Sequence, residues 1–307
     1  MINYPSFYRF DNQAINLAGI YNGCTAFLIC GGPSLKKLDL SLLNQRGVLT
    51  LGINNVAAKT VKCNMWVGGD SASKFCHNIF LDPTVRKFIS HDSMDSKLRV
   101  RDSSNNLIES NLRVRGTPNI FGYVKNQYFN PDSWLSENTF NWGNGKNIIG
   151  RDGIGGKRST MLVALKILFV LGVRVVNIIG ADFYMPVEGA KYAFEQEKDR
   201  TSVAYNNELF AALNVRFSML QPKFLEQGFE VYNCTPNSRL TAFPVRSFVQ
   251  SIAQSIGDLP KEIITKGMYE TTFHPSPATK YTPKLREIRS GSRSRKLPKH
   301  TTVMKEI

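Results

Sequence analysis

The stretch Thr25-Ala26-Phe27-Leu28-Ile29-Cys30-Gly31-Gly32-Pro33-Ser34-Leu35 is a short apolar run that stops at two glycines and a proline. An apolar run of this length, bounded by glycine, reads as a buried strand with a tight turn behind it. Leucines at helical spacing from Leu35 to Leu43 then predict a helix after the turn. The same grammar recurs along the chain. Val48 to Ile53 ends at Asn54-Asn55, and Met65 to Gly68 ends at Gly69-Asp70. Val175 to Ile179 ends at Gly180-Ala181-Asp182-Phe183-Tyr184, and Phe229 to Tyr232 ends at Asn233 to Ser238. Ser159 to Leu171 and Tyr205 to Glu226 read as helices, the second with Pro222 as a kink point.

Strands alternating with helices predict an α/β chain, a doubly wound and mostly parallel Rossmann-like sheet. In such sheets ligands bind beyond the carboxyl ends of the strands, where the strand order reverses. Every polar cluster just named follows a strand, so each is expected at that rim. The expected division is an N-terminal surface segment over 1–20, a Rossmann-like domain over 21–250 and a C-terminal extension over 251–307. Within the domain, about 91–156 is rich in Asn, Ser, Gly and aromatics without periodicity, and reads as an inserted lid.

Composition narrows the function classes. No apolar run reaches the length of a membrane span, and the first residues lack the basic-then-apolar pattern of a secretion signal. Five scattered cysteines without a CxxC pair read as reduced thiols, so a cytoplasmic location is expected (host cytoplasm if phage-encoded). The formal charge is +15, and the residues from Lys280 onward carry nine Lys or Arg against two Glu. From Pro275 on, the composition predicts a poorly ordered tail. Lys284, Arg286, Arg289, Arg293, Arg295 and Lys296 are its candidate polyanion contacts.

Gly31, Gly32, Pro33 and Ser34 open toward a predicted helix, where glycines admit a phosphate or ribose and free N–H groups bind it. Ser34 is equally an N-cap candidate. The Gly-rich run Gly150 to Thr160 fails as a nucleoside-triphosphate loop. Arg151 stands where its first glycine belongs, and Arg158 follows Lys157 where Ser or Thr is required. It reads instead as a hinge, with Arg158, Ser159 and Thr160 at a helix start. Asp182-Phe183-Tyr184 lacks the second acid of an Asp-x-Asp motif, and no cluster has metal-ligand spacing, so no metal is expected.

Four segments occur in order: Leu28 to Leu35, Gly52 to Asn55, Gly180 to Tyr184 with Tyr192-Ala193-Phe194, and Cys234-Thr235-Pro236-Asn237-Ser238. Together they resemble the bacterial sialyltransferases that move sialic acid from CMP-sialic acid onto lipooligosaccharide, and the wider Rossmann-like glycosyltransferases that phages also carry. The resemblance covers about 24–245 without the lid. It implies a nucleotide-sugar co-substrate (UDP- or CMP-linked) and no tightly bound cofactor. Asn54, Ser159, Thr160, Gly180, Asp182 and Phe183 match nucleotide-contacting positions; Asn55, Asn237 and Ser238 stand in the same polar clusters. Tyr184 and Tyr192 match the tyrosine pair that hydrogen-bonds the leaving phosphate, in place of a metal. Gly31 departs from the family's asparagine. The family's general-base histidine has no counterpart, because no histidine occurs between His91 and His274. Asp70 is the substitute candidate, a carboxylate at a strand end.

The expected function is thus glycosyl transfer to a polyanionic acceptor, with hydroxymethylated bases of phage DNA preferred to an anionic glycolipid or other surface glycan. The basic charge favours DNA, and the tail has few apolar anchors for a membrane. Two other classes remain: a non-catalytic nucleic-acid-binding protein, and a pterin pyrophosphokinase using Asp70 and Asp182 as magnesium ligands.

Overall fold

A computed structural model describes residues 6–101, 103–104, 106–126, 129–141, 159–196 and 198–257. The Gly150–Lys157 run, Tyr128, Trp142, the candidate Arg158 and the six tail cations Lys284, Arg286, Arg289, Arg293, Arg295 and Lys296 lie outside the described residues.

The chain forms β1 (Phe7–Tyr8), β2 (Ala14–Ile15), β3 (Thr25–Ile29), β4 (Leu49–Ile53), β5 (Met65–Gly68) and β6 (Arg86–Ser90). There follow β7 (Lys97–Arg101), β8 (Leu107–Arg113), β9 (Ile120–Tyr123), β10 (Lys125–Asn126), β11 (Phe140–Asn141), β12 (Val175–Ile179) and β13 (Glu230–Asn233). The helices are α1 (Val56–Lys59), α2 (His77–Leu81), α3 (Thr160–Val170), α4 (Arg200–Glu226) and α5 (Phe248–Gly257).

Nine strands make one sheet in the order β13-β12-β3-β4-β5-β6-β9-β1-β2. All neighbours from β13 to β9 are parallel, and β1 and β2 add an antiparallel edge. Helices cover both faces, as a parallel sheet requires. On one face Ala26, Leu28, Leu51, Val67 and Val176 pack with α3 and α4. On the other, Phe27, Ile29 and Ile179 pack with Phe248 and Ile252 of α5. The alternation along β3 serves the two layers in turn, so the doubly wound α/β architecture follows from the apolar run itself.

From β3 the chain steps outward through β4, β5, β6 and β9, then returns to place β12 on β3's other side. The carboxyl ends of β3 and β12 therefore diverge, and a crevice opens between their loops.

Several expectations are corrected. The described part of the segment 1–20 does more than wrap the surface: Phe7 is fully buried in β1, and Leu17 is in the core. The described part of 91–156 is not a lid. It contributes β9 to the main sheet, a β7–β8 hairpin, and the fully buried Phe129, Trp134 and Phe140. Aromatics in a polar stretch here mark core, because burying each large ring is worth about 2 kcal/mol or more. Leu35 to Leu43 is no α-helix but two 3₁₀ turns, Pro33–Lys37 and Leu40–Leu43, separated at Asp39. The boundary at 250 falls inside α5, whose Ser251 and Ile252 are buried. Helix α4 begins at Arg200, earlier than expected, with Asp199 capping it through Ser202, and continues through Pro222. Among the described residues no helix is long and apolar enough to cross a membrane.

Candidate functional site

A cleft of about 540 Å³ opens at the divergence of β3 and β12. Its walls include Gly31, Gly32, Pro33, Asn54, Asn55, Asp70, Ser159, Thr160, Gly180, Asp182, Phe183, Tyr184 and Tyr192. Residues from six separate segments thus meet at one rim of the sheet.

The two loops at the base lock together through Asp182. Its carboxylate accepts from the Ser34 hydroxyl at 2.7 Å and from the Ser34 N–H at 3.3 Å. Burial raises the Asp182 carboxyl above the usual carboxylate range, while the hydrogen bonds from Ser34 oppose that shift. The Gly32 N–H donates to the Gly180 carbonyl at 2.8 Å. A Cβ on Gly32 would overlap the Asp182 carboxylate and stand 2.6 Å from the Gly180 carbonyl oxygen. Gly31 faces the Phe194 and Tyr192 rings, at 3.3 and 3.5 Å from where its Cβ would be. These glycines therefore admit protein groups, a carboxylate and two rings.

This corrects the phosphate-cradle reading of the first turn. The N–H groups of Gly32 and Ser34 are already bonded within the protein, and the helix behind them is a five-residue 3₁₀ turn. Ser34 does not line the cleft and makes no side-chain cap; its hydroxyl is spent on Asp182. Asn237 and Ser238 also stay out of the lining. Ser238 donates to the Ala181 carbonyl at 2.5 Å, and Asn237 takes a left-handed φ of 54° in the turn. Both shape the loop after β12 from behind.

The opposite wall is built on Asn54 and α3. Asn54 sits at φ 53°, its carbonyl receiving the Trp66 indole N–H at 2.6 Å, so its backbone is fixed at the rim. The Thr160 hydroxyl reaches the Asn54 amide oxygen at 3.4 Å. Ser159 caps α3 by accepting from the Met161 N–H, which turns the amino end of an eleven-residue helix toward the cleft. Asn55 is structural as well: its amide joins the backbone of Lys74 and Cys76. Asp70 pairs with Lys74 at 3.3 Å and is about half exposed.

The third wall is an irregular strap over the described residues 184–196 and 198–199. Its Ala193 N–H donates to the Gly31 carbonyl at 2.9 Å, and Tyr192 stacks on Phe194, centroids 5.3 Å apart. Burial raises the Tyr192 hydroxyl above its ordinary value. Tyr184 is 40% exposed, with the Arg239 guanidinium 3.8 Å from its ring centroid. Asn207 of α4 clamps both backbone groups of Met185. Phe183, at φ 52°, stacks on Phe210 of α4.

Sequence reasoning missed Lys74, Phe75, Lys191, Phe194, Lys198, Asn206 and Phe210, all of which line the cleft. Asp199 three residues before Ser202 is a cap pattern that marks the early start of α4, the helix that carries Asn206 and Phe210. His77 and His91 are not in the lining; His91 contacts Asn12 and Tyr8 on the far edge. No group of three or more His, Cys, Asp or Glu that could hold a metal occurs among the described residues. Compared with protein-family models, curated proteins and solved structures, the chain matches none.

Proposed function

We propose that the cleft binds a nucleotide sugar and moves its sugar to a hydroxyl of a polyanionic acceptor, preferably a hydroxymethylated base in DNA. The observation that carries this reading is the meeting of Asn54, Thr160, Tyr184 and Tyr192 at the switch point of the sheet, where such folds take nucleotides. Asn54 and Thr160 contact the nucleoside, and the amino end of α3 favours the phosphate's negative charge. In the transfer step the bond from the sugar's anomeric carbon to the phosphate oxygen breaks, and its electron pair leaves with the nucleotide. The acceptor oxygen bonds the anomeric carbon and yields its proton to the Asp70 carboxylate. Tyr192 and Tyr184 donate hydrogen bonds to the departing phosphate, a charge that grows in the transition state. The chain's charge of +15 supports a polyanion as the acceptor.

The pyrophosphokinase reading is disfavoured by the partners of its two acids, Lys74 for Asp70 and Ser34 for Asp182. The test is incubation of the full chain with hydroxymethylcytosine duplex and UDP- or CMP-sugars, followed by nucleoside mass spectrometry. A mass gain of one sugar is expected. Gain only on lipooligosaccharide would move the acceptor to glycans, and no gain on either with any donor would end the reading. Tyr192→Phe is expected to lower kcat by about tenfold to a hundredfold with little change in KM, and exposed Tyr184→Phe by less. Equal, small losses in both would make the rings packing groups only.

A further inference from the structure

Arg239, in the loop between β13 and α5, stands at the mouth of the cleft. Its guanidinium lies 3.8 Å from the centroid of the Tyr184 ring, and Tyr184 is one of the cleft's walls. Arg239 itself is exposed and outside the lining. The backbone holds it in place. The Arg239 N–H donates to the Asp182 carbonyl at 2.9 Å, the Ser238 hydroxyl donates to the Ala181 carbonyl, and Asn237 turns the chain at φ 54°. Among the described residues the guanidinium donates no hydrogen bond and enters no ion pair. Arg246 in the same loop differs: it lies 3.2 Å from the Tyr232 centroid but spends a donor on Gln254 at 3.0 Å. Stacking occupies the face of a guanidinium and leaves its N–H edge open, in the fork geometry that matches two phosphate oxygens. The ring also limits the rotamers of the arginine, so less freedom is lost when an anion binds.

Resting on the reading of the cleft as a site of transfer to a polyanion, we infer that Arg239, braced on Tyr184, binds a phosphodiester of the acceptor DNA beside the base that enters the cleft. The donor occupies the lined cleft, and Arg239 lies outside that lining. The anion it meets therefore belongs to a molecule that extends past the mouth. Nucleic acid does so with a phosphate at every nucleotide, so the base in the cleft brings phosphates with it. A phosphate contact of this kind sets register and orientation and reads no sequence.

Fluorescence anisotropy of the full chain with a short labelled hydroxymethylcytosine duplex, at several salt concentrations, tests this. Arg239→Gln is expected to weaken binding about tenfold and to reduce the slope of log affinity against log salt by about 0.9, the value of one phosphate contact. Arg239→Lys keeps the charge without the fork and should recover part of the loss. Tyr184→Phe keeps the ring and should bind the duplex as wild type does, whereas Tyr184→Leu should lose about threefold. Arg46→Gln is the control. It removes the same charge from an exposed position in the turn before β4, at the opposite rim of the sheet, and should stay within about twofold of wild type. The Arg239 side chain is exposed and bonds to nothing that the fold needs, so its variants keep the fold, checked by circular dichroism. Equal losses at Arg239 and Arg46, or an unchanged salt slope in Arg239→Gln, overturn the anchor and leave glycosyl transfer standing. A wild type that binds no duplex overturns the anchor and the DNA acceptor together, and transfer to a glycan is then read separately by the mass of the product.

Discussion

Replacing Gly180 with alanine is expected to destabilise the fold by about 4 kcal/mol. Two costs add. Gly180 sits at φ +68°, where a Cβ costs roughly 1–2 kcal/mol. The added carbon would also overlap the Cys30 carbonyl oxygen and lie 2.7 Å from the Leu35 Cγ. Overpacking of this kind costs about 1–3 kcal/mol, and here the neighbour is backbone of β3's own exit, which cannot rotate away. Gly228→Ala is the control, with φ +62° and nothing within 4 Å of the new carbon. It should lose only about 1 kcal/mol. Urea unfolding of both variants separates strain from clash, since the difference between them is the clash alone. Equal losses would mean that the loops of β3 and β12 yield to one another, and the rigid cleft floor would be lost from the account. Because the Gly32 N–H hangs on the Gly180 carbonyl, the nucleotide binding proposed for the cleft should fall with the fold.

The same two loops show what a sequence can and cannot disclose. Strands β3, β4, β5, β12 and β13 were readable because each is an apolar run cut off by Gly or Asn. Strand β6 was not, for it opens with Arg86-Lys87, and a lysine is a poor sign of a buried strand. Lys87 is nonetheless fully buried, its ammonium bonded to the carbonyls of Asp82 and Val85. Strand β9 is four residues inside an Asn- and Ser-rich stretch, too short to set up a period. At the site, residues at strand ends were legible since topology alone places them at one rim. The Ser34–Asp182 bond was not, because it joins positions 148 residues apart and reverses the role expected of the turn. Nor were Lys191, Phe194 and Lys198, which sit on an irregular strap with no period to read. Spacing identifies which loops meet; only packing says which groups in them are still free to take a ligand.

Between pH 7 and about 8.5 the protein is expected to become more stable by about 2 kcal/mol, and one buried residue carries most of the rise. Lys166 lies on α3, where ten of eleven residues are buried, and is itself inaccessible to solvent. Its ammonium donates to the Trp134 carbonyl and sits 5.1 Å from that indole ring. Desolvation pulls its pKa down from 10.5 to about 7, against a weaker upward pull from Glu137. Lys87 falls to about 8 for the same reason, with Asp82 opposing. In the unfolded chain both stay protonated up to the ordinary value of 10.5. The unfolded state therefore binds more protons above pH 7, and unfolding free energy climbs with pH by at most about 1.4 kcal/mol per unit for each lysine. The rise is bounded above, because burial lifts the Cys30 and Cys63 thiols from 9.0 to about 12. Past pH 9 the unfolded chain loses those protons first, which offsets the slope that the two lysines set. Urea unfolding at pH 7.0, 7.75 and 8.5 reads the trend directly. Lys166→Met, of similar length and without a charge, should flatten it to the part that Lys87 contributes. A wild-type curve that is level or falling over this window would show that Lys166 keeps its proton in the folded core, and a Met variant with an unchanged slope would assign the rise to other groups.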